Sequence, residues 1–284
     1  MRICPACTAR FFGPAWCCPA CAWQPATLGP IQRVAPTGGA DIEYDAAYFR
    51  QIAAIESHHF WFVSRNALIA WALRRYFPHA QSLLDVGCGT GQVTAALQAA
   101  NPALRLTACE AFLEGLQIAA SRAPGAELVE ADVRSLPFEE EFDVAGAFDV
   151  LEHIADDERV MREMVRTVRR GGGVIVTVPQ HPFLWHRMDE HAGHQRRYTR
   201  GQLAALARRC GLEIDRLTSF VSLLLPAMLV SRLGGRRSAS SPEFHLPPAA
   251  NHAGSAIMTA ERALIRAGLS LPFGGSLLLV ARRR

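Results

Sequence analysis

The sequence predicts an α/β protein in which a doubly wound, seven-stranded and mainly parallel sheet follows a small N-terminal metal-binding module. Three observations predict it. From Ser82 onward, short apolar runs alternate with segments of helical periodicity. The first of those runs ends in a glycine-rich turn, "LLDVGCGTGQV" (Leu83 to Val93). Five of the eight cysteines crowd into the first 21 residues.

The elements follow in order. Leu83 to Val86, Arg105 to Glu110, Glu127 to Ala131, Phe142 to Phe148 and Val174 to Val178 read as strands. Their runs are apolar on both faces, as a parallel sheet covered by helices requires. Gln92 to Ala100, Phe112 to Ser121 and Asp157 to Arg169 read as the connecting helices. A helix near Gly201 to Arg209, a strand near Glu213 to Ser219, a helix near Ser255 to Ala267 and the final strand "SLLLVARR" complete the domain. Before the first strand, the spacing of Phe49, Ile52, Ile55, Phe60, Phe62, Leu68, Ile69 and Trp71 predicts one or two amphipathic helices between Ala46 and Tyr76. The domain therefore runs over 46–284, with an apolar and loop insertion at 221–271 before the last strand.

Composition excludes several classes. Half of the 284 residues are apolar, enough for a sizeable core. All 30 basic residues are arginine, and a formal charge of +4 does not announce a nucleic-acid surface. The longest apolar stretch, Phe220 to Val230, falls short of the roughly 20 residues that span a bilayer and contains Pro226. It predicts a buried helix, with a pocket cover or peripheral membrane contact as the alternatives. The start "MRICPAC" lacks the pattern of a secretory signal, so the expectation is a cytosolic protein with free thiols.

"CPACTARFFGPAWCCPAC" spaces Cys4 and Cys7 by two residues and Cys18 and Cys21 by two, with ten residues between the pairs. Two such knuckles can deliver four thiolates to one tetrahedral zinc ion, which would let about 25 residues fold without a core of their own. Cys17 competes with Cys18 for the third position, and an iron–sulfur cluster or redox pair would use similar residues. Residues 1–25 are thus expected to be a separate zinc-ribbon-like unit, and the prolines and glycines of 26–45 a linker.

A strand that ends in glycine and opens into a helix suits a polar or anionic ligand, because the backbone can approach closely and the helix start offers free N–H groups. Gly87, Gly89 and Gly91 are spaced G-x-G-x-G, with Gln92 where a dinucleotide fingerprint has its third glycine. This pattern resembles the first motif of the class I S-adenosylmethionine-dependent methyltransferases, which have a Rossmann-like fold. "EADVRSLPF", "FDVAGAFDVLEHI", "VRRGGGVIVTVP" and the closing "PFGGSLLLVARR" fall where that family places its later strands. The resemblance implies S-adenosylmethionine as cofactor. Asp85 would then lie near its amino group, the backbone of Gly87, Cys88, Gly89 and Gly91 below its carboxylate, and Glu110 with Ala111 at its ribose. Asp132 and Val133 would meet the adenine, and Phe148 would lie at the exit of the fourth strand. Helices before the first strand fold across the cofactor in this family, so Trp61 would shield the sulfonium and Arg65 would reach the carboxylate.

The acceptor is expected beyond the carboxyl ends of the strands. There "DVLEHI" resembles the corresponding segment of the ubiquinone-pathway O-methyltransferases, which implies a divalent cation at Asp149, Glu152 and His153, or His153 and Glu152 in general acid–base work. The polar, aromatic segment "PQHPFLWHRMDEHAGHQRRYT" predicts an acceptor-side lid, with Asp189, His194 and Arg197 as its central residues. The resulting expectation is O-methylation of a small-molecule, lipid or glycan acceptor. The alternatives are methylation of RNA or protein with the zinc module as the recognition element, a cofactor-binding scaffold without turnover, and, last, a dehydrogenase.

Overall fold

A computed structural model describes residues 1–13, 15–35, 46–234 and 246–284. The N-terminal head contains a two-stranded hairpin, β1 (Arg2–Ile3) with β2 (Arg10–Phe11). A second hairpin follows, β3 (Ala26–Leu28) with β4 (Ile31–Ala35), and then two helices, α1 (Ala46–Ile55) and α2 (Phe60–Tyr76). The alternating core comprises β5 (Ser82–Val86), α3 (Gln92–Ala100), β6 (Arg105–Glu110), α4 (Leu113–Arg122), β7 (Glu127–Ala131) and β8 (Phe142–Phe148). It continues through α5 (Asp157–Thr167), β9 (Val168–Pro179), the short α6 (Arg187–His191), α7 (Arg200–Arg209) and β10 (Leu212–Phe220). The chain closes with α8 (Leu225–Gly234), α9 (Pro248–Arg266) and β11 (Ser276–Arg283).

The strands lie in the order β3-β4-β7-β6-β5-β8-β9-β11-β10. Pairings from β4 to β9 are parallel, while β3, β11 and β10 join through antiparallel pairs. The strand order reverses between β5 and β8, and ligands of doubly wound sheets bind at such a switch point. Alternation along the strands sorts the core into two faces. Leu83, Leu106, Val144, Ile175 and Leu278 pack beneath α2, α3 and α9, whereas Leu84, Ala145, Val176 and Leu279 pack beneath α5 and α7.

Several expectations from sequence are corrected here. Among the described residues the sheet has nine strands rather than seven, because residues 26–35 are not a linker. Their glycine and proline, Gly29 and Pro30, form the tight turn between β3 and β4, with Gly29 left-handed at φ 56°. Ile31 and Val34 are then buried on opposite faces of the sheet. The rest of the expected linker, 36–45, lies outside the described residues, as does 235–245 of the insertion.

The head, moreover, is not a separate unit. Between β7 and β8 the chain covers residues 132–141 without a helix, although a parallel crossover usually brings one to cover the sheet face. The head occupies that place. Cys4, Phe11, Trp16 and Cys18 are buried in one cluster with Val34, Val129 and Phe138, and Trp16 meets Phe138 edge to face at 5.5 Å. Arg2 lies 4.3 Å over the Trp16 ring and donates to Glu127 at 2.7 Å, and the Trp16 indole N–H donates to the same carboxylate at 2.8 Å. The Ile3 N–H donates to the Pro137 carbonyl at 2.9 Å, stitching the head to the helix-free crossover.

The apolar Phe220 to Val230 stretch also departs from the simple buried helix expected. Phe220 ends β10, and α8 begins at Leu225 with Pro226 in its first turn, where a missing N–H leaves no bond unmade. The three N–H groups of Val221, Ser222 and Leu223 donate to Glu261 of α9 at 2.6, 2.6 and 2.8 Å, which fixes the bend between β10 and α8. Leu223, Leu229 and Val230 are exposed.

Trp16→Ala is expected to cost about 3–5 kcal/mol, the usual range for a buried aromatic, in one cooperative urea transition followed by circular dichroism and fluorescence. A separate early transition, with the main domain unchanged, would show instead that the head folds alone.

Candidate active site

The carboxyl ends of β5, β6, β7, β8 and β9 open into a cavity of about 810 Å³. Its floor is the glycine turn. Gly87, Gly89 and Gly91 all have left-handed φ, at 71°, 54° and 74°, a region that L side chains rarely enter. Close approach adds to this at two of them: a Cβ on Gly87 would lie 2.8 Å from Val150, and one on Gly91 would lie 2.6 Å from Ala119. Gly91 therefore backs onto α4 and, unlike every other predicted cofactor residue, does not line the cavity. A Cβ on Gly89 would have 3.9 Å to Phe49, so its face stays open to a ligand.

The acids stand where the strand ends put them. Asp85 is fully buried, and burial pushes its carboxyl up to about 6 despite the Thr94 hydroxyl at 2.5 Å and the nearby Arg65 charge. Glu110 is likewise raised by burial, opposed by three backbone donors: Gly89 at 2.9 Å, Ala111 at 2.7 Å and Phe112 at 3.2 Å. Those bonds lock the glycine turn to the end of β6. At Asp132 burial opposes ionisation, but the hydrogen bonds and charge of Arg134 override it and hold the carboxyl below its ordinary range. Cys88, Ala111, Val133 and Phe148 complete this end of the wall.

Helix α1 forms the roof, which local sequence signals did not assign to the site. Tyr48, Phe49, Ile52 and Glu56 line the cavity. Glu56 accepts from both Arg122 and Thr90, and Arg122 also donates to the Ala53 carbonyl at 2.6 Å, which ties the end of α1 to the glycine turn. The bond joins positions 66 residues apart, so no local pattern could have found it. Trp61 and Arg65 also line the cavity. Arg65 stacks 4.8 Å from the Trp61 ring and donates to Asp149 at 2.6 Å. Asp149 sits in left-handed backbone at φ 61°, a conformation that persists only where its surroundings hold it. Arg65 and the Thr177 hydroxyl, at 3.2 Å, do so.

At the opposite end the structure assembles Glu152, His153, Asp189 and His194. The first two lie on the short helix Leu151–His153 after β8, and the others on the segment after β9. That segment is a fixed wall: the Gln195 N–H donates to the Glu152 carbonyl at 2.7 Å, and the Tyr198 hydroxyl to Asp157 at 2.6 Å. Asp189 is 1% exposed and accepts from the His186 N–H, from His194 Nδ1 and from Arg197 Nε, each at 2.8 Å. An ionised carboxylate only accepts, so His194 donates through Nδ1, and in the neutral ring the lone pair is on Nε2. That nitrogen lies 3.9 Å from Glu152 Oε1. His153 meets the His194 ring edge to face at 4.7 Å, and burial together with His194 lowers it to about 3, so it stays neutral and weakly basic. Glu152, His153 and His194 can each offer one ligand atom within 4.8 Å. Asp149 is not in this set and faces Arg65, so the predicted group of Asp149, Glu152 and His153 is not the one brought together.

In the head, the Cys4 and Cys21 sulfurs are 3.7 Å apart and those of Cys7 and Cys18 are 3.6 Å apart. Tetrahedral zinc with bonds of about 2.3 Å separates its sulfurs by about 3.8 Å, so the set fits. Each knuckle closes the same way: the Thr8 N–H donates to the Cys4 carbonyl and the Ala22 N–H to the Cys18 carbonyl, with left-handed Thr8 and Ala22. Cys17 is exposed and accepts from Gln24 outside the cluster, which decides between Cys17 and Cys18.

Asp189 supplies a pH-dependent test. Burial alone would raise its carboxyl, but His194 and Arg197 hold it at about 2. A group depressed in the folded state adds stability that is full above its unfolded value, near 3.9, and is lost as pH falls through about 2. The stability difference between the wild type and Asp189→Asn, measured by urea unfolding, is therefore expected to shrink from pH 5 to pH 2. A constant difference would contradict this.

Comparison with known proteins agrees with the geometry. A methyltransferase-domain family profile matches residues 84–176. The demethylmenaquinone methyltransferase of Thermotoga maritima is 30% identical over 97 residues, 34% of this chain and 42% of that protein. The trans-aconitate 2-methyltransferase of an Azoarcus species is 29% identical over 126 residues, 44% of this chain and 47% of that protein. The chain thus spans under half the length of these relatives. Among solved structures, the [4+2]-cyclase SpnF superposes with a TM-score of 0.51 at 23% identity over 76% of this chain and 80% of that one, which is likeness of fold alone. The stretch matched by the methyltransferase-domain profile, 84–176, contains the glycine turn, Glu110 and Asp132, the residues that form one end of the cavity.

Proposed function

We propose that this protein transfers a methyl group from S-adenosylmethionine to a hydroxyl of an apolar small-molecule, lipid or glycan acceptor, and that its head binds a structural zinc ion. One observation carries the reading: a single cavity joins the Gly87–Gly91, Glu110 and Asp132 end to a histidine held in a defined tautomer by a buried aspartate. S-adenosylmethionine, when bound, supplies an already activated methyl group. Asp85, Glu110, Asp132 and the glycine turn would hold it, with Phe49 and Trp61 excluding water above.

The remaining task falls to the acceptor side. His194 Nε2 takes the hydroxyl proton as the oxygen attacks, and Asp189 orients the ring and steadies the resulting charge. His153, with its lowered basicity, shapes the wall instead. Val221, Leu224 and Met228 line the far side, and with exposed Leu223, Leu229 and Val230 beside them they support an apolar acceptor and peripheral contact with lipid. Among the described residues no helix is long and apolar enough to cross a membrane. RNA is disfavoured because both cations of the head are engaged, Arg2 by Glu127 and Arg10 by Glu139. Four of the cysteines would hold the zinc ion and the other four, Cys17, Cys88, Cys109 and Cys210, are in no disulfide, an arrangement compatible with a reducing, cytosolic setting.

Titration calorimetry with S-adenosylhomocysteine is expected to show binding that Glu110→Ala weakens at least tenfold, in line with about 1.5–3 kcal/mol for hydrogen bonds to a charged group. Binding of NAD in its place would overturn the reading. His194→Ala is expected to lower turnover about a hundred- to ten-thousandfold, the usual contribution of a general base, while leaving that affinity intact. Radiolabel from S-adenosylmethionine, offered with a fractionated extract, should enter the small-molecule or lipid fraction. Label in RNA or protein would make the head a recognition module, and binding without any transfer would make the protein a scaffold.

A further inference from the structure

Among the described residues, eight carboxylates and three arginines line the cavity. All three arginines are already committed to acids of the same wall: Arg65 to Asp149, Arg134 to Asp132 and Arg197 to Asp189. None of these three is free to receive a phosphate or carboxylate. Seven of the carboxylates accept hydrogen bonds from protein donors, among them Asp156, which takes the Arg159 N–H at 3.0 Å. Glu152 is the exception. It is 0% exposed to solvent, neither of its oxygens has a hydrogen-bond partner on another residue, burial pushes its carboxyl well above the ordinary range, and the His194 nitrogen is 3.9 Å away, too far for a hydrogen bond.

A buried carboxylate without a donor is costly, and its amide isostere would bring two donors of its own. Its two oxygens are spaced to accept from two donors at once. His194 Nε2, a base, and Glu152 Oε1, an acceptor of hydrogen bonds, stand 3.9 Å apart on the wall of the same cavity.

We propose that Glu152 recognises the polar head of the methyl acceptor, and that this head is neutral or cationic and carries at least two O–H or N–H donors, so that anionic acceptors are excluded. The proposal rests on the methyltransferase reading only for the word acceptor. The apolar body of the ligand would lie along Val221, Leu224 and Met228. One donor then reaches Glu152 while a neighbouring hydroxyl reaches His194 Nε2, which places the reacting oxygen beside its base.

The experiment uses the zinc-loaded protein and three probes with one apolar tail, 1-aminodecane, 1,2-decanediol and decanoate, titrated calorimetrically with and without S-adenosylhomocysteine. The amine and the diol are expected to bind at least tenfold more tightly than decanoate. Glu152→Gln should remove most of that preference, keep the affinity for S-adenosylhomocysteine, and raise the melting temperature because an unsatisfied carboxylate is gone. Decanoate binding as tightly as the other two, or a preference unchanged in Glu152→Gln, would overturn the proposal. So would Zn²⁺ or Mg²⁺ titrated alone binding one further site that Glu152→Gln abolishes, since Glu152 would then be a metal ligand. Absence of S-adenosylhomocysteine binding would strike the methyltransferase reading, and the titrations made without it would still decide the role of Glu152.

Discussion

A parallel sheet must be covered on both faces, and most of this molecule follows from how that requirement is met. Helices α2, α3, α4 and α9 cover one face without interruption. On the other face α5 and α7 cover β8, β9 and β11, but the crossover from β7 to β8 brings no helix. The cysteine-rich head fills the gap with Phe11 and Trp16, and β4 extends the same repair sideways by pairing with β7. A module of this size cannot bury a core by itself. It borrows one from the sheet, and the sheet in turn borrows its cover from the head.

This exchange reaches the site. β7 ends at Ala131, and the next two residues, Asp132 and Val133, line the cavity. The Arg33 to Glu130 ion pair and the bond from Ile3 to Pro137 bracket those residues on either side. The head therefore supports the outer wall of the cofactor end while standing outside the cavity. A structural part for the cysteine-rich head accounts for its paired cations and for its intimate packing.

The cavity is strongly acidic, and its electrostatics divide along its length. Near the glycine turn, carboxylates are satisfied by backbone N–H groups and by arginines, which fixes them as rigid acceptors. Near β8 and β9 Asp189 is equally saturated, by His194, Arg197 and the His186 N–H, while neither oxygen of Glu152 has a partner on another residue. Such a contrast within one wall is a sign of function, because folding alone would favour a partner for every buried polar group.

The sequence by itself determined the order of strands and helices, the glycine turn, the acids at the strand ends and the paired cysteine knuckles. Each of these is a local matter, set by periodicity over a few residues or by the spacing of a motif. It misread 26–35, because a glycine and a proline mark a tight hairpin as well as they mark a linker. Only the tertiary structure decided that Cys18 rather than Cys17 faces its partners, that Asp149 belongs to Arg65, and that His194 joins Glu152 and His153. It alone brought α1 over the cavity through Glu56 and Arg122. Those outcomes depend on contacts between residues distant along the chain, where burial, geometry and competition for partners decide which of several chemically suitable residues meet.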